Sequence, residues 1–314
     1  MPDVSCLGIL VADVLARPVD DWPERGRLSL VETMRLQIGG CASNAAIDLT
    51  RLGTSVAALG KVGCDGFGDF VVNTLRHEGV NTDGILRDAV VGTSGTMVMV
   101  DSDGERSFLH YIGANATVRA QDVNMEIIAA SRLVHFAGAL VMPGFDGDPA
   151  ASVLKQAQAA GVTTCMDVVW DATGQWMKFL KPCLPHLDVF MPSFAEAREI
   201  TGQDTPQAAA QALHDHGVKR VVFTLGEEGC FVSGPEGSFT QPTYQVNVLD
   251  GTGSGDAFAA GFIRGMLEGW SVEDCARLGN AVGALCCTAL GTTAGVRTWD
   301  ETLQFMEETP LLEV

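Results

Sequence analysis

The stretch Asp250-Gly251-Thr252-Gly253-Ser254-Gly255-Asp256, running straight into Ala257-Phe258-Ala259-Ala260-Gly261-Phe262-Ile263, constrains this chain most. Ahead of it, residues 243–248 read as a strand with Tyr244, Val246 and Val248 on one face. After it the chain is so apolar that the expected helix must be buried on most sides. Glycines at such a strand-to-helix turn let the backbone approach a ligand, because no Cβ stands in the way. The first helical turn then offers unpaired N–H groups and a positive dipole end to an anion. A carboxylate at Asp256, beside an anion hole, makes electrostatic sense if it has work there, such as accepting a proton from an attacking hydroxyl. Two other readings compete. One is a tight turn whose acid complements the helix dipole. The other is a dinucleotide site, but its G-x-G-x-x-G fingerprint belongs early in a βαβ unit, and the spacing here is G-x-G-x-G-D near the end of the chain.

The rest of the chain supplies the layers that such a turn needs. Residues 5–12 read as a first strand that delivers Asp13 at its C-terminal end, where ligands gather in open α/β sheets. Residues 27–38 alternate apolar and polar, as antiparallel strands with one wet face do. Gly39-Gly40 opens a helix closed by Gly53; a strand at 55–60 and a helix at 67–78 follow. Residues 95–100 and 105–111 flank Asp101-Ser102-Asp103-Gly104 and read as a hairpin. With 27–38 they would form a small sheet standing off the core. Beyond residue 132 strands fall near 133–140, 163–169, 187–191 and 220–225, with helices near 149–160, 194–201 and 206–216. A hairpin at 229–241 precedes the opening stretch, and the end is helical at 256–268, 271–290 and 299–307. This rhythm predicts a mainly parallel sheet with helices on both faces. There is no repeat or linker, so residues 1–314 read as a single domain, with lid strands inserted at about 14–38 and 92–112.

Composition narrows the partners. The net charge of −19, from 39 acidic and 20 basic residues, argues against nucleic acid. It also means that an anionic substrate needs a local cation or N–H groups rather than general steering. No window reaches the ~18 uninterrupted apolar residues of a membrane helix. The apolar run at 6–12 is short and lacks basic residues before it, so it reads as a strand and not a leader, and a cytoplasmic protein is expected. The nine cysteines form no CxxC pair and read as reduced thiols rather than disulfides or zinc ligands.

Gly39-Gly40-Cys41-Ala42-Ser43-Asn44 is a second glycine-led helix start, with an amide that can both donate to and accept from a polyol hydroxyl. Alone it could be an ordinary helix start. Taken together, Gly39-Gly40-x-x-x-Asn44 and Asp250-x-Thr252-Gly253-Ser254-Gly255-Asp256 resemble the two signatures of the PfkB carbohydrate kinases, the ribokinase-like family, and the similarity covers essentially the whole chain. Leu59-Gly60-Lys61-Val62-Gly63-Cys64-Asp65-x-x-Gly68 resembles the family's second βα turn, and Gly113-Ala114-Asn115-Ala116 its return from the lid.

The resemblance implies a three-layer α/β/α ribokinase-like core with a small β-sheet lid, and phosphoryl transfer from ATP to a sugar hydroxyl. Asp256 would take the hydroxyl proton, and the backbone of Gly253, Ser254 and Gly255 would hold the transferred phosphate. Asp13, Gly39, Gly40 and Asn44 would orient the sugar. Thr224, Gly226 and Asn280 would lie on the nucleotide side. Glu196 resembles the acid that acts on Mg²⁺ through water, and Asp250 with Thr252 resembles a potassium site. The lid would exclude water and pair two subunits into a homodimer.

Three departures from the family pattern stand out. Gly251 replaces a threonine, and Ser193 replaces the asparagine of N-x-x-E. Asp167-Val168-Val169-Trp170-Asp171 lacks the D-x-N-x-R pattern of fructokinase-like and ketodeoxygluconate-like members, which favours a neutral acceptor. A nucleoside kinase of the same fold and a non-catalytic sugar- or nucleotide-binding relative are the rival functions. Retention of Asp256 and of the 253–255 loop speaks against the second. His135 reads as a core histidine with a hydrogen bond, and His214 and His216 as solvated or dipole-facing groups.

Overall fold

The computed structural model describes residues 1–312. The chain opens the main sheet with β1 (Val4–Gly8) and leaves at once for a second sheet, where it forms β2 (Val11–Arg17) and β3 (Thr33–Gly39). Helix α1 (Cys41–Arg51) returns it to the core, followed by β4 (Val56–Gly63), α2 (Gly66–His77) and β5 (Asn81–Asp88). The second sheet is completed by β6 (Gly95–Val100) and β7 (Arg106–Tyr111). Alternating elements follow: α3 (Met125–Ala129), β8 (Leu133–Ala139), α4 (Asp148–Ala159), β9 (Thr163–Val168), α5 (Trp176–Leu180) and β10 (Val189–Phe190). Next come α6 (Phe194–Thr201), α7 (Pro206–Asp215), β11 (Arg220–Thr224) and the hairpin β12 (Cys230–Gly234) and β13 (Gly237–Gln241). Helices α8 (Ser254–Glu268), α9 (Val272–Cys286) and α10 (Trp299–Glu308) close the chain.

The main sheet has nine strands in the order β13-β12-β11-β10-β9-β8-β1-β4-β5, parallel except for the β11-β12-β13 edge. Side chains alternate across each strand, so β1 feeds both faces. Val4 and Cys6 join the apolar layer of α1, α2, α8 and α9, while Leu7 joins that of α4, α6 and α7. Each fully buried Leu or Phe in these layers contributes ~1.5–3 kcal/mol relative to exposure. The lid is a four-stranded sheet, β3-β2-β6-β7, in which β2 and β6 run parallel and the other pairs antiparallel.

Four expectations need correction. The first strand does not run unbroken from 5 to 12. Asn115 accepts from the Leu10 N–H and donates to the Leu10 carbonyl, both at 3.2 Å, so Leu10's ladder groups are satisfied by a side chain and the chain changes sheets there. Asp13 therefore lies in the lid strand β2, opposite Gln37 and Thr96. Residues 27–32 are irregular, with Leu28 and Leu30 exposed, and only Thr33–Gly39 pairs with β2. Residues 243–248 form no strand. Tyr244 alone bridges to Leu311 and is buried, whereas Val248 is exposed. The edge strand β13 has already ended the sheet before this segment, which crosses to α9 and α10 instead. Finally, β5 is a strand that pattern reading misses, because its polar sequence NTDGILRD suits a half-solvated sheet edge.

Candidate active site

The 250–256 loop delivers Asp256 into the first turn of α8, whose N-cap is Gly253 with φ 83°. A Cβ on Gly253 would lie 2.2 Å from the Thr292 carbonyl oxygen, so both the left-handed backbone and the close approach require glycine. The Ser254 N–H closes the turn onto the Gly251 carbonyl at 3.2 Å. Among the described residues the N–H groups of Gly253, Gly255 and Asp256 have no protein acceptor. The expected 253–255 run of open donors is thus interrupted at Ser254. Ser254 is partly spent on the turn, and the Asp256 N–H joins the free ones.

Asp256 is buried and its Oδ2 accepts from Asn44 Nδ2 at 2.8 Å. The amide is held in that sense because Asn44 Oδ1 lies 2.9 Å from the Thr292 hydroxyl, which is also 3.1 Å from the Ile38 carbonyl and shares its one proton between them. Burial, and secondly the charge of Asp167, push the Asp256 carboxyl up to about 6, against the hydrogen bonds from Asn44 and the Cys41 thiol. That suits a group that must be ionised near neutrality yet able to take a proton.

Across from it, Asp13 has a buried Oδ1 with no hydrogen-bond partner among the described residues, and burial raises its pKa. A Cβ on Gly39 would stand 2.0 Å from Asp13 Oδ2. Gly40, the N-cap of α1 at φ 89°, packs its bare Cα on the Ile9 carbonyl and the Val11 N–H. Sequence-distant Asp13, Gly39, Gly40, Asn44 and Asp256 therefore meet where the lid joins the core. A buried carboxylate oxygen without a partner calls for hydroxyl donors from outside the chain.

A cleft of ≈ 540 Å³ continues from Ser254 and Gly255 past Thr224, Gly226 and Asn280. The Asn280 Nδ2 is engaged within the chain: it donates to the Gln241 and Pro242 carbonyls at 3.0 and 3.2 Å, which pins this wall of the cleft. Tyr244, Val246 and Phe258 make the cleft apolar at its sides, as a base-binding slot needs.

Glu196 does have a partner. It forms a capping box with Ser193, whose N–H and hydroxyl lie 2.8 and 2.7 Å from Glu196 Oε2. The S-x-x-E spelling was readable as that box. Burial raises the Glu196 pKa, against the hydrogen bonds from Ser193, and the Asp167 charge adds to the rise. Among the described residues no three His, Cys, Asp or Glu gather as a metal cage. Few protein ligands suit Mg²⁺, which keeps its waters and leans on substrate phosphates.

The potassium pair is occupied differently. Asp250 Oδ1 and the Thr252 hydroxyl both accept from Nη1 of Arg106, a lid residue that pattern reading did not mark. His135 is buried as expected but lacks the expected hydrogen bond. Its Nε2 lies 3.3 Å from Asp167 Oδ2 without hydrogen-bond alignment. His214 is structural, bonded to the Val218 carbonyl at 2.8 Å and to the Ser233 hydroxyl at 3.0 Å. Thr292, Cys41 and Asp167 complete the site, and only Asp167, at the end of a strand, carried a sequence signal.

Residues 1–299 match the pfkB family carbohydrate kinase. The chain belongs to the pfkB family of carbohydrate kinases. This kinase is 31% identical over 250 residues to an uncharacterized sugar kinase of Archaeoglobus fulgidus, covering 79% of this chain and 97% of that one. Its fold superposes with a TM-score of 0.85 on Arabidopsis thaliana ribokinase complexed with ribose and ATP, at 25% identity and covering 98% and 99% of the two chains. A ribokinase II of E. coli in complex with ATP and Mg²⁺ shares the fold at a TM-score of 0.84 and 22% identity, over 98% of this chain and 99% of that one. The reaction of this carbohydrate kinase is ATP-dependent phosphorylation of a sugar.

Proposed function

We propose that the chain transfers the γ-phosphoryl group of ATP to a hydroxyl of a neutral sugar, with Asp256 as general base. The observation that carries this reading is the buried Asp256 carboxylate, aligned by Asn44 at 2.8 Å beside the free N–H groups of the α8 start. The acceptor hydroxyl lies between Asp256 and the transferred phosphate and gives its proton to Asp256 as the new O–P bond forms. The N–H groups of Gly253, Gly255 and Asp256 take the charge that develops on the phosphate, the kind of interaction that dominates phosphoryl transfer. Asp13 accepts from further sugar hydroxyls, and Gly39 and Gly40 let the ring approach the backbone. Thr224, Gly226 and the wall pinned by Asn280 hold the nucleotide.

Glu196, which feels the Asp167 charge, would hold Mg²⁺ through water, and the ion would supply charge neutralisation on the phosphates. A neutral acceptor is favoured because the carboxylates of Asp256 and Asp167 act on each other electrostatically and, with Asp13, would repel a sugar acid or sugar phosphate. The lid pairs two copies, as Met34, Leu36, Met97 and Leu109 leave an apolar surface exposed on one face of it. A cytoplasmic setting fits nine cysteines that are all free. No helix among the described residues is long and apolar enough to cross a membrane.

ADP release measured over neutral sugars, sugar acids, sugar phosphates and nucleosides tests the reading. Stimulation by a neutral sugar is expected. Stimulation only by anionic acceptors would remove the charge argument, and only by nucleosides would favour the other branch. For the dimer, Met34→Asp is expected to shift the sedimentation profile to monomer, and an unchanged profile would dismiss the lid interface.

A further inference from the structure

Arg106 opens the lid strand β7 and reaches into the 250–256 loop. Its Nη1 donates to Asp250 Oδ1 at 2.6 Å and to the Thr252 hydroxyl. Asp250 is 5% exposed and organises three separate segments. Its Oδ1 also accepts from the Thr252 N–H at 2.8 Å, and its Oδ2 from the Gly291 N–H at 3.0 Å. The hydrogen bonds from Gly291, Thr252 and Arg106 outweigh burial and keep this carboxyl below its usual range, hence ionised. The oxygens engaged by Arg106, Asp250 Oδ1 and Thr252 Oγ, are the side-chain oxygens of the pair that resembles a potassium site. A guanidinium already within hydrogen-bond distance of both excludes an ion from the same pair, so the donor set does not fit bound potassium.

We propose that the Arg106 guanidinium is a built-in monovalent cation, which orders the anion loop in place of a bound ion and does so only while the lid lies against the core. This rests on the sugar-kinase reading of the loop. The chemistry supports the substitution. Arginine stays charged at any working pH, and the two N–H donors of Nη1 hold a carboxylate and a hydroxyl together, as a spherical ion would. Helix α8 and the free N–H groups of Gly253 and Gly255 begin immediately after Thr252, so the charge stands beside the proposed anion hole. In a chain of net charge −19 that local positive charge matters, because the long-range field is repulsive to a nucleotide. Since Arg106 belongs to the lid, the loop loses its cation whenever the lid lifts. Ordering of the loop is thereby tied to closure over the sugar, and no ion from solution is required.

The test uses the full chain with MgATP and the best neutral sugar, at constant ionic strength, with KCl exchanged for tetramethylammonium chloride at about 100 mM. Wild-type kcat is expected to stay within about twofold between the two salts. Arg106→Ala is expected to lose at least about tenfold in kcat, more than it changes the KM for ATP, and to recover in part with added potassium or guanidinium ion. A readout independent of turnover is the melting temperature. Potassium should raise that of Arg106→Ala relative to tetramethylammonium, through mass action on a vacated site, and leave the wild type unchanged. If Arg106→Ala does not fold, Arg106→Met carries the same measurements, with Arg106→Lys expected to stay indifferent to potassium. Activation of the wild type by potassium of about fivefold or more would overturn the proposal, as would an Arg106→Ala enzyme with wild-type kcat and no cation response. If no acceptor stimulates ATP turnover in any salt, the sugar-kinase reading fails instead, and the melting measurement still decides whether Arg106 occupies a cation site.

Discussion

The two walls of the active site are built by different physics. The core wall holds Asp256, Asn44 and Thr292 in a buried chain of hydrogen bonds, at 2.8 and 2.9 Å, between helices α1 and α8 and the loop after α9. The lid wall holds Asp13 and Arg106 on one face of strands whose outer residues Met34, Met97 and Leu109 are exposed. A buried, fully bonded wall fixes the base to a fraction of an ångström, which transfer chemistry requires. A lid joined through a few polar contacts can lift to admit a sugar and settle again. In the proposed reading the base thus sits on the rigid side, while the lid side carries the sugar-facing Asp13 and, in Arg106, the cation that orders the anion loop.

The largest effect that would break this division is on the base. Asp256→Asn is expected to lower kcat by roughly 10²–10⁴-fold with ATP and sugar binding retained by calorimetry. Near-normal turnover would move the base elsewhere. On the lid wall, Asp13→Asn is expected to act mainly on the sugar, raising its KM by about 10-fold or more, the scale of a lost charge-assisted hydrogen bond, with a smaller change in kcat. A pure kcat defect would contradict the assignment of the two walls.

The pH profile sharpens the core side. Asp256 must be ionised to act, so kcat/KM is expected to fall about tenfold per unit of pH as the pH drops below about 6. The Asn44 amide bonds the charged form and lowers that pKa. Asn44→Ala should therefore shift the acid limb upward, and a downward shift would refute the role given to the amide.

The smallest expected effect concerns Asp48, one helical turn beyond Asn44 on α1. It is fully buried with both carboxylate oxygens unpaired among the described residues, and burial, together with the Asp256 charge, raises its pKa well above the usual range. A carboxyl whose folded pKa is raised stabilises the fold only while protonated. Its contribution is present below the unfolded pKa and lost as pH rises through the folded one. Asp48→Asn should therefore match the wild type in acid and melt higher by ~2 °C or more at pH about 8. An equal or lower melting point there would show that the carboxylate has a partner in solution.

Legibility in the sequence followed the range of the forces involved. The helices 194–201 and 206–215, with their Ser193 and Thr205 caps, carry local signals and lie where the pattern places them. So does the β6–β7 hairpin around Asp101–Gly104. The break between β1 and β2 was not legible, because Leu10 is turned aside by Asn115, which lies 105 residues away. The polar edge strand β5 lacked the apolar alternation that marks a half-buried strand. The 243–248 segment had such alternation but no free sheet edge to join.

By itself the sequence determined the α/β layering, the two glycine-led helix starts and the presence of Asp256 at a glycine-rich turn into a helix. Each follows from local propensity or from the space left by a missing Cβ. The tertiary structure alone decided that Asn44 aligns Asp256 across 212 residues and that Arg106 binds Asp250 across 144. Contacts at such separations leave no periodicity or spacing in the chain, and they exist only once burial has brought the lid, α1 and α8 together.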